Sequence, residues 1–373
     1  MFKKLLAVTL SAFLLLVSPI SSIKADAADY SVTPVSGVLY SGEGTEVFTD
    51  ADPATFVTTL KVNTPVVVTG STSNGYWQIN MNNAIYYVTQ QSLSVIKNTY
   101  AYRQLSFDAK AALVASPATG KMIYTQGATD KLEPASTTKI MTALLVVEAI
   151  EAGAFTLETP VMVTPTALAG LPKDASHVEP RLNAGEVLTV SQLLQAVMIS
   201  SDCQACNVLA ELVAGSVPNF VAMMNARAAQ LGCSNTNFTN PSGYPDKLMY
   251  TNAVSLYLIT ANAIKHPIFN QYFGQASAIL PPTNLYGLPR SLVNTNDLMV
   301  PGSAFYNPSV IGSKTGTASR AGQCLVTVSS QKGKTIITVL LGAKTRTMWD
   351  GSRVSMRYHE TNRLIDLGFN NYY

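Results

Sequence analysis

The chain has little that would staple, charge or anchor it. Its four cysteines, Cys203, Cys206, Cys233 and Cys324, are too few and too scattered for a disulfide-dense scaffold, and a chain of 373 residues does not need one. Cys203 and Cys206 stand in CxxC spacing, but no thioredoxin-like βαβ pattern surrounds them, which weakens a redox reading. The three histidines, His177, His266 and His359, are isolated, so neither a metal nor another cofactor is expected. Charge is sparse: 25 Lys and Arg against 22 Asp and Glu, with no basic run, which excludes an electrostatic nucleic-acid binder. After the N-terminal residues no stretch is apolar for the roughly 20 residues a spanning helix needs, so no integral membrane span is expected in the mature chain. What is abundant is apolar side chain, 47% of the residues. That excludes disorder and a collagen-like repeat, and the length predicts two or three domains.

The N-terminus has the pattern of an export signal. Lys3 and Lys4 precede an apolar run from Leu5 to Val17, and Ala25-Asp26-Ala27 has the small-x-small form of a cleavage site. Residues 1–27 are therefore expected to be a signal peptide, and the protein to be secreted and to work outside the cytoplasmic membrane. A short uncut anchor is the alternative, disfavoured by the length of the run.

Residues 30–97 read as a small all-β unit. Val38 to Tyr40, Val57 to Leu60, Val66 to Thr69, Tyr76 to Ile79 and Ala84 to Val88 are short β-prone runs separated by Gly, Asn, Asp, Pro and Ser clusters. Val66-Val67-Val68-Thr69-Gly70 followed by Gly75-Tyr76-Trp77 resembles the bacterial SH3-like domains appended to cell-wall enzymes. The resemblance implies a small barrel with an aromatic groove for wall peptide; Trp77 packing a tiny core is the plainer alternative.

A linker around Lys97 to Gln104 separates this unit from residues 104–373, where the pattern changes. Ala112 to Ser116 and Met122 to Gln126 predict a hairpin, and Thr138 to Ile150 predicts a helix apolar nearly all round, hence buried. Helical patterning covers Val190 to Leu212, Val217 to Leu231 and Val254 to Ile264. Strands return at Leu325 to Ser329 and Ile336 to Leu341, and a last helix covers about Ser355 to Leu367. Strands from both ends around a helical middle predict an α+β fold, one antiparallel sheet with a helical lobe inserted.

Three short motifs carry chemistry. Ser136-Thr137-Thr138-Lys139 puts a hydroxyl and an amine on one helix face, their Cβ atoms roughly 5 to 6 Å apart. A neutral lysine there could take the proton of a serine that is otherwise a poor nucleophile. The spacing alone is weak, since Ser21/Lys24, Ser94/Lys97 and Ser329/Lys332 share it. Its setting on a buried helix is what singles out Ser136, because a lysine there must be paired or neutral. The second motif is Ser201-Asp202-Cys203, opening or interrupting helical sequence, and the third is Lys314-Thr315-Gly316, followed by Thr317. A Lys-Thr pair beside a glycine on a strand suits the gripping of a carboxylate, and Gly316 lets another backbone come close.

The order SxxK, Ser-x-Cys, KTG resembles that of penicillin-binding proteins and class A β-lactamases. The fit is closer to the D-alanyl-D-alanine carboxypeptidase family of low-molecular-mass penicillin-binding proteins. It extends through Ala111-Ala112-Leu113-Val114, Pro134 to Ala143, Asn240-Pro241-Ser242-Gly243, Asn294-Thr295-Asn296, Gly312 to Gly316 and Ala321 to Leu325. What this resemblance implies is a β-lactamase/transpeptidase-like fold and acyl transfer on peptidoglycan stem peptides ending in D-Ala-D-Ala, with association with the cell wall. Ser136 would be the nucleophile, Lys139 the general base and Ser201 a proton relay. Cys203, Lys314, Thr315, Gly316 and Thr317 would bind substrate, and β-lactam antibiotics would acylate Ser136.

Two features depart from the family pattern. Cys203 stands where asparagine is usual, replacing an amide that donates and accepts by a weak donor. With the last read residue at Tyr373, the C-terminal β domain and amphipathic anchor of many relatives are not expected. A β-lactamase is the enzymatic alternative, suggested by Glu179-Pro180-Arg181-Leu182-Asn183, but that segment precedes Ser201, whereas the deacylating loop of class A enzymes follows the serine triplet. The alternative from another class is a non-catalytic wall-binding protein.

Overall fold

The structure is a computed structural model describing residues 30–42, 44–61, 64–94, 106–347 and 353–372. The expected signal peptide and the expected linker lie outside these residues. Among the described residues no single helix is long and apolar enough to cross a membrane.

Seven strands form the N-terminal sheet: β1 (Val32–Ser41), β2 (Glu46–Phe48), β3 (Phe56–Thr59), β4 (Pro65–Thr72), β5 (Tyr76–Met81), β6 (Ala84–Thr89) and β7 (Leu93–Ser94). The order is β3-β2-β6-β5-β4-β1-β7, with every pairing antiparallel. The strands match the sequence-based expectation, but the expected closed barrel is an open sheet. The reason is what lies against β3. Phe56 packs with Phe48 against Met356 of the C-terminal helix and meets the His359 ring edge-on, so the edge is covered by a helix rather than by β7. Arg346 adds an ion pair to Glu46 at 3.2 Å. The sheet keeps a small core of its own, Val47, Val66, Val68, Ile79 and Val88, with Trp77 at its margin.

The larger unit is built on five antiparallel strands: β8 (Ala111–Ala115), β9 (Met122–Gln126), β14 (Val310–Ala318), β15 (Gly322–Gln331) and β16 (Lys334–Ala343), in the order β14-β15-β16-β8-β9. Early and late sequence thus meet where β16 pairs with β8, Val339 opposite Leu113. Alternation along these strands assigns two faces. Ala111, Leu113, Ala115, Val326, Ile337 and Val339 join the core under the helical lobe, while Ala112, Val114, Leu325, Ile336 and Leu340 pack beneath α8 (Met356–Asn370). Both faces are covered, which is why these strands read as continuous apolar runs.

The lobe consists of α1 (Lys139–Glu151), α2 (Pro165–Leu168), α3 (Val190–Met198), α4 (Cys203–Ala214), α5 (Val217–Gln230), α6 (Ala253–Ala263) and α7 (Pro267–Phe273). Two-stranded ribbons brace it: β10 (Pro160–Met162) with β11 (Val187–Thr189), and β12 (Ser277–Leu280) with β13 (Arg290–Val293). A third ribbon, β17 (Thr345–Thr347) with β18 (Arg353–Ser355), leads into α8. The helical patterning expected from Val190 to Leu212 is two helices, parted at the Ser201-Asp202-Cys203 triplet. Thr189 opens α3 with a capping box and Asp202 caps α4, and the chain between them passes through Ser201 at φ +61°.

Candidate active site

Ser136 sits on a 3₁₀ turn, Ala135–Thr138, that runs directly into α1. The turn is forced by local chemistry. Ala135 has φ +48°, unusual for a residue with a Cβ, and Thr137 closes the turn by donating its hydroxyl to the Pro134 carbonyl at 2.7 Å. One residue past the turn, Lys139 is fully buried, and its Nζ donates to Ser136 Oγ at 3.0 Å and to the Ser242 carbonyl at 2.7 Å. Its third neighbour is Cys203 Sγ, 3.6 Å away. The expected serine–lysine contact is therefore formed.

The Ser242 carbonyl is aimed by a turn whose hub is Asn240. Asn240 Oδ1 accepts from the backbone N–H groups of Ser242, Gly243 and Tyr244 and from the Ser242 hydroxyl. Gly243 has φ +77° and lies against the Ala135 carbonyl, where a β-carbon would have no room. This segment entered the sequence reading only through a resemblance; nothing in its composition says that its backbone would hold Lys139.

Ser201 and Cys203 come from the break between α3 and α4. Asp202, fully buried between them, accepts from the N–H groups of Ala205 and Val178, both at 2.7 Å. Burial pushes its carboxyl above the usual carboxylate range, against those hydrogen bonds and the charge of Lys139. The Cys203 N–H donates to the Ser176 carbonyl at 2.8 Å, so the segment before Leu182 is laced to the start of α4. Cys203 is in contact with Lys139, whereas the Ser201 hydroxyl has no hydrogen-bond partner among the described residues.

The third motif lies on β14, at the sheet edge facing the nucleophile's turn. Lys314 is buried, with its Nζ donating to the Thr315 carbonyl at 3.2 Å. Burial first, and the Lys139 amine second, hold it well below the usual lysine range. Gly316 packs against Pro134, Ala135 and Ser136, and a β-carbon there would stand 3.0 Å from the Ser136 nitrogen. Thr315 shares a hydroxyl–hydroxyl hydrogen bond with Thr295, and Thr317 is exposed. The three motifs are thus brought together by the fold.

Motif reasoning missed Arg357, at the start of α8. It donates to Thr317 Oγ1 at 3.0 Å, to the Gly316 carbonyl at 3.3 Å and to Gln323 Oε1 at 2.7 Å, adding a guanidinium beside the KTG strand. Its 41-residue separation from Gly316 carries no local signal; only the return of α8 across the sheet aligns them. Glu179, by contrast, is 80% exposed at its side chain and pairs with His177 at 3.3 Å. A cavity of about 250 Å³ lies elsewhere, between Thr58–Lys61 and Ala304–Pro308, and none of the motif residues lines it.

A serine on a tight turn, bonded to a buried lysine and faced by an edge strand carrying a second buried lysine, is the arrangement of an active-serine acyl transferase on a transpeptidase-like fold. The chain belongs to the D-alanyl-D-alanine carboxypeptidase family, whose model matches residues 98–345. It is 32% identical over 270 residues to D-alanyl-D-alanine carboxypeptidase DacF of Bacillus subtilis and 33% identical over 265 residues to DacC of Escherichia coli. These alignments cover 72% and 71% of this chain but 64% and 62% of the relatives, a little under two thirds of their length. Among solved structures, the Streptomyces K15 DD-transpeptidase superposes with a TM-score of 0.62 at 26% identity, covering 71% of this chain and 98% of that one. Penicillin-binding protein D2 of Listeria monocytogenes, in its cefotaxime-bound form, gives 0.60 at 26% identity, covering 71% and 99%.

Proposed function

We propose that this protein is a serine-type D-Ala-D-Ala carboxypeptidase or transpeptidase that acts on peptidoglycan stem peptides through an acyl-enzyme on Ser136. The observation that carries this reading is the 3.0 Å contact from Lys139 Nζ to Ser136 Oγ, made by an amine with no access to bulk water. Family membership supports the substrate class.

In this reading Ser136 Oγ attacks the penultimate D-Ala carbonyl and Lys139 receives its proton. The N–H groups of Ser136 and Thr317 face the developing oxyanion, a feature worth ~3 kcal/mol of barrier per donor. The free hydroxyl of Ser201 passes a proton to the departing D-Ala amine. Lys314, Thr315 and Thr317 hold the terminal carboxylate, with the Arg357 guanidinium beside them, and Gly316 lets the peptide lie along the open edge of β14. Water or a neighbouring stem-peptide amine then releases the acyl group. Cys203 leaves a thiol beside Lys139 where the family usually carries an amide, which bears on the choice between those acceptors.

β-Lactams resemble the substrate and acylate Ser136; the Listeria protein was solved with cefotaxime and with ampicillin bound. We read residues 1–27 as a signal peptide, residues 30–97 as an SH3-like unit that ties the enzyme to the wall, and residues 104–373 as the peptidase. The test is to follow free D-Ala and cross-linked dimer from a pentapeptide substrate with the parent and Ser136→Ala. D-Ala release by the parent, lost in the variant together with fluorescent-penicillin labelling, is the expected result. No D-Ala from the parent with any acceptor overturns the reading.

A further inference from the structure

The N-terminal sheet has no part in the acyl-transfer chemistry, yet it packs against the helix that carries Arg357. Arg357 is the second residue of α8, in a first turn whose N–H groups lack partners within the helix, so its direction depends on what packs around that turn. Met356 and His359 are three residues apart and share one helix face. Met356 is fully buried with Phe48 and Phe56, and the His359 ring meets the Phe56 ring edge-on, centroids 5.7 Å apart. Arg357 lies about 100° round the helix from Met356, and its guanidinium reaches Thr317 and the Gly316 carbonyl on β14. A second path runs through β17. Arg346 stands over the Phe56 ring at 5.1 Å and pairs with Glu46. Beside it, Thr345 Oγ1 accepts from Gln323 Nε2 at 2.8 Å, and Gln323 Oε1 accepts from Arg357 Nε at 2.7 Å. Phe56 therefore touches both supports of the guanidinium.

We propose that the Phe56–His359 contact positions Arg357, so that the N-terminal sheet sets how tightly the enzyme grips the terminal carboxylate of its peptide. This rests on the reading that puts that carboxylate beside Thr317. Gln323, Gly316 and Thr317 each take a guanidinium N–H, and the donors left for a substrate are directed by the same planar group. A small tilt of the first turn of α8 misaligns them. It leaves Ser136, Lys139 and the Ser242 carbonyl in place, because these belong to other elements. The signature is a change in binding with the chemistry intact: a raised KM and an unchanged kcat, as when a contact made equally in ground and transition states is lost.

The experiment measures KM and kcat for D-Ala release from a D-Ala-D-Ala peptide by the full chain, with Phe56→Ala, His359→Ala and His359→Phe made in the parent and again in Arg357→Ala. Both alanine variants are expected to raise KM by about threefold or more, less than Arg357→Ala itself, with kcat close to the parent's. His359→Phe keeps a ring against Phe56 and should bind like the parent. In the Arg357→Ala background neither alanine should raise KM further, since the contact acts through the missing guanidinium. His359→Ala acts from α8 and leaves the core of the N-terminal sheet whole, so it carries the test if Phe56→Ala unfolds that sheet. An unchanged KM in His359→Ala overturns the proposal. So does the same rise with and without Arg357, or a His359→Phe variant as weak as the alanine one. A KM unaffected by Arg357→Ala, or no D-Ala from the parent, overturns instead the reading on which the proposal rests, so the two failures are told apart.

Discussion

Gly243 and Ala135 approach so closely that a β-carbon on Gly243 would lie 1.9 Å from the Ala135 carbonyl oxygen. This contact seats the turn carrying the Ser242 carbonyl on the turn carrying Ser136, and Lys139 bonds to both. The aim of the lysine thus depends on a glycine far away in sequence. Gly243→Ala is expected to lose at least ~1–2 kcal/mol from its left-handed backbone alone and to slow penicillin acylation strongly. Urea unfolding with acylation kinetics checks both. A variant with parent-like kinetics would show that the turn does not set the lysine.

Gly316 tests the same contact from the strand side. A β-carbon there meets the Ser136 nitrogen and the Pro134 oxygen at 3.0 Å, a distance that small shifts can relieve. Gly316→Ala should therefore fold nearly normally but acylate slowly, since a displacement of about 1 Å at a reacting group costs on the order of 100-fold. A melting temperature close to the parent's, with acylation reduced at least tenfold, is the expected pattern.

Lys314 makes stability depend on pH. Burial and the neighbouring Lys139 hold its folded form well below the unfolded lysine value. Between those two values the unfolded chain binds more protons at this site, so stability rises with pH through the window, by up to ~1.4 kcal/mol per pH unit for one proton. Tyr257 and Tyr358 act oppositely above pH 10, because burial raises their folded values. Denaturant midpoints from pH 7 to 9.5 should climb in the parent relative to Lys314→Met. Parallel curves for the two proteins would exclude a titrating Lys314.

Glu186 and Arg290 form an ion pair at 2.8 Å with both side chains fully buried, and Arg290 also donates to the Pro180 carbonyl at 3.0 Å. Removing one partner leaves a buried charge alone, so Glu186→Ala is expected to cost ~3–5 kcal/mol. The loss should appear in thermal melts. Replacing both residues by apolar ones of similar volume should recover much of it.

The Arg357 guanidinium stands beside Thr317, where the proposed function puts the terminal carboxylate of the peptide. Arg357→Ala should raise KM for a D-Ala-D-Ala peptide by about tenfold or more, from a charge-assisted bond of ~1.5–3 kcal/mol. Amidation of the peptide's terminus should erase the difference between parent and variant. A KM unchanged by the substitution would remove Arg357 from substrate binding.

Much of this architecture was legible as local pattern. The apolar runs at Ala112, Leu325 and Ile336 became adjoining strands of one sheet, and the buried helix after Ser136 became α1. The break between α3 and α4 was legible in part, because Ser201-Asp202-Cys203 opens or interrupts a helical pattern that otherwise continues from Val190 to Leu212. It is the Thr189 and Asp202 caps and the positive φ of Ser201 that divide it. The N-terminal strands were legible too, but whether they close on themselves depends on α8 covering β3, a contact between distant parts of the chain.

The sequence alone determined the reactive groups and their short spacings: Ser136 three residues before Lys139, Ser201 beside Cys203, and Lys314 leading into Gly316. Those relationships span one helical turn or one strand repeat, so local periodicity fixes them. Tertiary structure decided which groups meet around Lys139. The Ser242 carbonyl and Cys203 reach it from two separate elements, and Arg357 reaches Gly316 from a third. Burying an amine requires partners on several sides at once, and only the packing of the lobe against the sheet edge supplies them.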